Sequence, residues 1–166
     1  NLKIYKAEKI NTHGGSLRVY LKKNMKTKTD KSVNNLLKEE EKFGIKEFKT
    51  YQEFGAKVYK IRNNVIKNIE KLKKKGKKII GYGAPAKATT ALNFFGIKDQ
   101  LDFVVEDNKL KHNKFIPGVK IEIKDKKIIK NKDNILIVLA WNFFNEIKKN
   151  NFELSSEIIN IKSLEN

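Results

Sequence analysis

A short apolar run, Lys78 to Tyr82, passes directly into Gly81-Tyr82-Gly83-Ala84-Pro85-Ala86-Lys87, and a helical pattern then runs from Pro85 to Phe95 before Gly96. Five buried residues, a glycine turn and a helix opening on proline form a strand, turn and helix unit, which constrains the fold more than any other feature of the chain. Further apolar strands are expected at Leu101 to Glu106, Asn134 to Ala140 and Ile158 to Ile161, with a helix from Asn142 to Lys149. Strands alternating with helices predict an α/β fold with a Rossmann-like, doubly wound, mostly parallel sheet. Lys109 to Asp133 is ambiguous: Pro117-Gly118 marks a turn, and Val119, Ile121 and Ile123 alternate as a short strand.

Ahead of this sheet, apolar residues recur at Tyr51, Phe54, Val58, Ile61, Val65, Ile69 and Leu72, which predicts a long amphipathic helix from a Thr50 cap to Gly76. The stripe fits a homodimer seam, but it holds only about three heptads with one step off register, so packing against the chain's own sheet is favoured. A strand over Leu17 to Leu21 follows the turn His13-Gly14-Gly15-Ser16. Asn24 to Lys31 reads as a linker, and Ser32 as the cap of a short helix ending at Gly44.

The motif satisfies G-x-G-x-x-A. In such a turn the first glycine permits the bend, the second lets backbone approach a phosphate, and the small third residue lets helix and strand pack. The helix N-terminus attracts an anion, to which Lys87 adds a full charge, although Pro85 removes one N–H donor. Glu106 or Asp107 stands near the distance at which a dinucleotide site places its ribose-binding acid. The bare alternative is a tight turn that any doubly wound sheet needs. Trp141 and Asn142 follow a strand at the sheet edge where ligands of open α/β sheets bind. Trp141 suits stacking or core, and Asn142 suits a ligand contact or a helix cap.

Other chemistries find little support. The chain has no Cys and two His, His13 and His112, so no metal site is expected. His112 reads as a surface residue and Glu39-Glu40-Glu41 as a solvated helix face. No run approaches a membrane span and no signal peptide is visible at Asn1 to Thr12, so a cytoplasmic protein is expected. With no initiator Met, the sequence reads as part of a longer chain. A net charge of +18 raises nucleic acid as a partner, but only Arg18 and Arg62 among the 37 basic residues are arginines. Bidentate phosphate and base recognition favours Arg, so nucleic acid is not expected.

Taken in order, His13-Gly-Gly-Ser-Leu-Arg-Val-Tyr20, Gly81-Tyr-Gly-Ala-Pro-Ala-Lys87, Val105-Glu-Asp107, Pro117-Gly118 and Ala140-Trp-Asn142 with Glu146-Ile147 resemble bacterial C-methyltransferases acting on nucleotide-linked deoxysugars. The resemblance covers essentially the whole chain. It implies a three-part enzyme with an N-terminal zinc domain, a middle domain binding S-adenosylmethionine, and a Rossmann-like C-terminal domain.

On that resemblance, residues 1–24 are closing strands of the methyltransferase domain, 25–76 a linker with helices, and 77–166 the C-terminal domain. The zinc region, the methyl-donor loop and the catalytic base have no counterpart here. The chain is thus expected to be inactive alone and to bind no S-adenosylmethionine itself. The implied ligand is a nucleotide-diphosphate sugar held by Gly81, Tyr82, Gly83, Ala84, Lys87, Glu106, Trp141 and Asn142, with His13 near the sugar and the upstream methyltransferase domain as partner. An independent Rossmann domain binding NAD or S-adenosylmethionine, and a basic nucleic-acid module, are the alternatives.

Overall fold

Residues 1–166 are described by a computed structural model, in which the chain separates into two units, Asn1–Lys57 and Val58–Asn166. In the first, β1 (Lys3–Ile10) and β2 (Ser16–Lys22) form an antiparallel hairpin. His13, Gly14 and Gly15 all take positive φ (54, 90 and 116°), a run of left-handed backbone that explains the paired glycines. Helix α1 (Lys31–Phe43) is capped by Asp30, whose carboxylate accepts from the Ser32 amide at 2.8 Å. The cap is therefore Asp30 and not Ser32, the cap expected from the sequence; the Ser32 hydroxyl accepts from the Ala7 amide instead.

The long helix is present as α2 (Phe48–Lys73), beginning two residues before Thr50. Thr50 is inside the first turn, and its hydroxyl donates to the Gly44 carbonyl at 2.8 Å. Only the second half of the apolar stripe is buried: Val65, Ile69 and Leu72 are core, whereas Tyr51 and Phe54 are exposed.

The second unit follows as β3 (Lys78–Tyr82), α3 (Ala86–Phe95), β4 (Phe103–Val105), β5 (Lys114–Phe115), β6 (Glu122–Lys124), β7 (Asn134–Val138), α4 (Phe144–Asn150) and β8 (Glu157–Asn160). The sheet order is β5-β6-β4-β3-β7-β8, parallel throughout except for β5 against β6. One face packs Ile79, Val104, Ile135 and Ile137 against Val65, Ile69, Ala88 and Leu92 of α2 and α3. The other packs Ile80, Tyr82, Leu136 and Val138 against Phe144 and Ile147 of α4. Helices cover both faces, so the sheet is doubly wound and Rossmann-like, and its central strands are apolar on both sides.

Several boundaries move inward from the sequence reading. Asp102 leaves the strand and its carboxylate accepts from the Ile79 amide at 2.9 Å. Val119 and Ile121 are buried but lie ahead of β6, where Lys120 has φ 56°. A 3-10 turn, Trp141–Phe143, intervenes before α4, so Asn142 caps no helix. From β3 the chain steps to β4 on one side, while β7 lies on the other. The order thus reverses between β3 and β7, the switch point where ligands of open α/β sheets bind. No helix is long and apolar enough to cross a membrane.

Candidate functional site

Close packing accounts for both glycines of the turn after β3. A Cβ on Gly81 would lie 2.8 Å from Val104 Cγ2 and 2.9 Å from Leu139 Cδ1, so close packing in the interior requires a glycine here. Gly83 has φ 90°, and a Cβ there would lie 2.9 Å from Ala140 Cβ. The glycine lets the turn after β7 close over the turn after β3. Pro85 then caps α3 without a side-chain hydrogen bond, and its carbonyl accepts from the Ala88 amide at 2.9 Å.

The anion beside this turn is the chain's own. Glu106 Oε2 accepts from the Ala84 amide at 2.9 Å and pairs with Lys111 Nζ at 3.1 Å, while Oε1 accepts from the Asn108 amide at 3.1 Å. Lys111 also donates to the Ala84 carbonyl at 3.0 Å, and a His112 ring nitrogen sits 2.7 Å from the Glu106 carbonyl oxygen. Burial alone would raise the Glu106 pKa. The two amides and Lys111 outweigh it and hold the carboxyl below its ordinary value. An acid engaged in this way buttresses the loop, with three of its roughly four acceptor positions taken by the chain itself.

Lys87 is placed differently. Its ammonium is buried with no hydrogen-bond partner, 5.1 Å from the centroid of the Trp141 ring. Both side chains line a cavity of about 50 Å³ with Pro85, Leu139, Ala140 and Asn142. A cation–π contact recovers part of the hydration an ammonium loses on burial, and leaves all three donors unused. Asn142 is exposed at the rim. The structure therefore brings Lys87, Trp141 and Asn142 together beside Gly83. His13 lies in the other unit, exposed on the β1–β2 turn.

Sequence reasoning missed the companion network on the α4 side. Tyr82, 2% exposed, donates its phenol proton to Asp107 Oδ2 at 2.7 Å. Lys126 Nζ pairs with Asp107 Oδ1 at 2.8 Å and donates to Asn151 Oδ1 at 3.1 Å. Burial, then the Asp107 contact, pushes the Tyr82 phenol up to about 12. Burial opposes ionisation of Asp107, but Lys126 and Tyr82 prevail and its pKa is lowered; Asp107 in turn raises that of Lys126. These groups floor an open cleft of about 470 Å³ whose walls include Phe143, Glu146 and Ile147. Tyr82 and Asp107 were visible in the motifs, but nothing local in the sequence marks Lys126 or Asn151.

Over residues 11–159 the chain matches the family described as C-methyltransferase C-terminal domain. It is also similar to the C-methyltransferase NovU of Streptomyces niveus, with 29% identity over 155 residues that cover 92% of this chain and 37% of that protein. The chain thus spans little more than a third of the length of the curated relative it matches.

Proposed function

The chain belongs to the C-methyltransferase C-terminal domain family, and on that premise we propose that it is the part of a longer sugar C-methyltransferase that holds a nucleotide-diphosphate sugar. The observation that carries this reading is Lys87, a buried ammonium without a hydrogen-bond partner, beside the switch point of a parallel sheet. An unpaired buried charge is costly, and a phosphate oxygen is the partner that would satisfy it. The first turn of α3 adds a partial positive charge from the same direction. Trp141 walls the site and excludes water, which strengthens the attraction between Lys87 and the phosphate.

The residues present do not fit a dinucleotide or S-adenosylmethionine at this turn. Ala84 has given its amide to Glu106, Pro85 has none to give, and Glu106 is already held by two amides and Lys111. In this reading the methyl donor and zinc belong to other domains of the longer, cytoplasmic enzyme. When bound there, S-adenosylmethionine supplies the methyl group that a carbanion beside a sugar ketone attacks. This chain anchors the substrate, with His13 and the β1–β2 hairpin belonging to the partner methyltransferase domain.

Calorimetric titration with dTDP at moderate salt tests the proposal. Saturable binding is expected, weakened by Lys87→Met by about tenfold or more, the loss of one charge-assisted contact. NAD and S-adenosylmethionine should give no heat. Unchanged dTDP affinity in Lys87→Met, or tight binding of either cofactor, would overturn it.

A further inference from the structure

The Lys87 ammonium lacks an acceptor, yet the space beside it is too small to admit a large one. The cavity it shares with Trp141 has a volume of about 50 Å³. One water needs roughly 10–15 Å³ of such space and a small-molecule site runs to about 300 Å³ or more, so a few waters fit and a diphosphate does not. The charge is in place, but an anion reaches it only if part of the wall moves.

Most of that wall is fixed. Leu139 is wholly buried, and its amide donates to the Tyr82 carbonyl at 2.8 Å. Ala140 is packed against Gly83 where no Cβ would fit, and Pro85 is held as the cap residue of α3. Trp141 differs. It opens the short 3-10 turn between β7 and α4, its side chain is half-buried, and the next two residues, Asn142 and Phe143, are exposed. A side chain there can change rotamer without disturbing the sheet. The centroid of its ring lies 5.1 Å from the Lys87 ammonium, which takes this aromatic face in place of a hydrogen bond. A phosphate oxygen is a stronger partner than a π face, so an anion and the indole compete for the same charge.

We infer that Trp141 is a gate on the anion site, an inference that rests on the anion reading of Lys87 proposed above. The indole that covers Lys87 swings outward when a phosphate takes the ammonium, and it stays at the mouth of the site as a wall between anion and solvent. Such a gate holds affinity down, because only the open fraction of the protein binds. Shrinking the ring should therefore tighten binding. Loss of a residue that grips the ligand would do the opposite.

Trp141 is the only tryptophan of the chain, so indole fluorescence reports the gate alone. Inorganic pyrophosphate is the probe, because it carries no base or sugar to stack on the ring. At saturating pyrophosphate and moderate salt, the emission maximum of the whole chain should move to longer wavelength and quenching by acrylamide should increase. In calorimetric titrations Trp141→Phe, which keeps an aromatic ring in the packing, should bind pyrophosphate about threefold more tightly than the parent, as the smaller ring is the weaker competitor for the ammonium. Lys87→Met should bind it about tenfold more weakly or worse. If pyrophosphate binds through Lys87 but leaves the indole signal unchanged, or if Trp141→Phe binds no more tightly than the parent, the gate is overturned and the anion reading stands. No binding of pyrophosphate, or binding indifferent to Lys87→Met, overturns both.

Discussion

Two lysines flank the same turn and are used in opposite ways. Lys126 is committed, with Asp107 and Asn151 within 3.1 Å and the Tyr82 phenol at 3.4 Å. Lys87 is buried against Trp141 with no acceptor at all. A fold gains from the first arrangement, because each charge is matched as it leaves water. It pays for the second, because a buried ammonium loses hydration that one aromatic face only partly replaces. Charge on the α4 side thus holds the loops in place, and charge on the α3 side is left available for something else.

The comparison breaks if the committed side is not holding structure. Glu106→Ala strips the acceptor from two amides and the anion from Lys111, and should lower stability by about 2 kcal/mol, or several degrees of Tm. Thermal unfolding checks this. An unaltered Tm would mean that Glu106 is spare after all, as a dinucleotide site requires. A smaller loss, about 1 kcal/mol, is expected for Tyr82→Phe in urea unfolding, since the phenol proton reaches Asp107 from an interior position. Asp107 keeps Lys126 in that variant, which limits the damage.

Lys87→Met sharpens the comparison from the other side. Methionine fills similar space without a charge to dehydrate, so the variant should be as stable as the parent or more stable by up to about 1 kcal/mol, even as it loses dTDP affinity. Stability and binding would then move in opposite directions at a single residue. A Tm several degrees lower would show that Lys87 is structural and that its contact with Trp141 is its whole purpose.

How much of this was legible in the chain depends on range. β3 and β7 are buried on both faces, so Lys78–Tyr82 and Asn134–Val138 stand out as apolar runs, and the glycine turn between β3 and α3 identifies the sheet type. β1 escaped because Lys3, Lys6, Glu8 and Lys9 interrupt its alternation, and two-residue β5 has no periodicity to read. Asp30 and Ser32 are both good caps, and only the geometry chooses between them. The site divides in the same way. Lys87 and Trp141 flank recognisable motifs, but Lys126 and Asn151 reach Tyr82 from 44 and 69 residues away. The engagement of Glu106 depends on where the Ala84 amide points, which no spacing rule reports.

The smallest expected effect concerns pH and compares carboxylates alone. Glu106 and Asp107 are both held below their ordinary values of 4.5 and 3.8 in the folded chain, so the unfolded chain binds protons more readily. Their stabilisation is complete above the ordinary carboxylate range and is lost progressively as pH falls through the lowered folded values. Glu106→Gln keeps an oxygen for the Ala84 amide but removes one titrating group. Its Tm should therefore fall less steeply than the parent's between pH 6 and pH 3, with the two curves approaching each other by about a degree or two at the acid end. Parallel curves would show that the Glu106 charge adds nothing beyond its hydrogen bonds. The committed side of the turn would then be held by geometry, and the contrast with Lys87 would rest on hydrogen bonding alone.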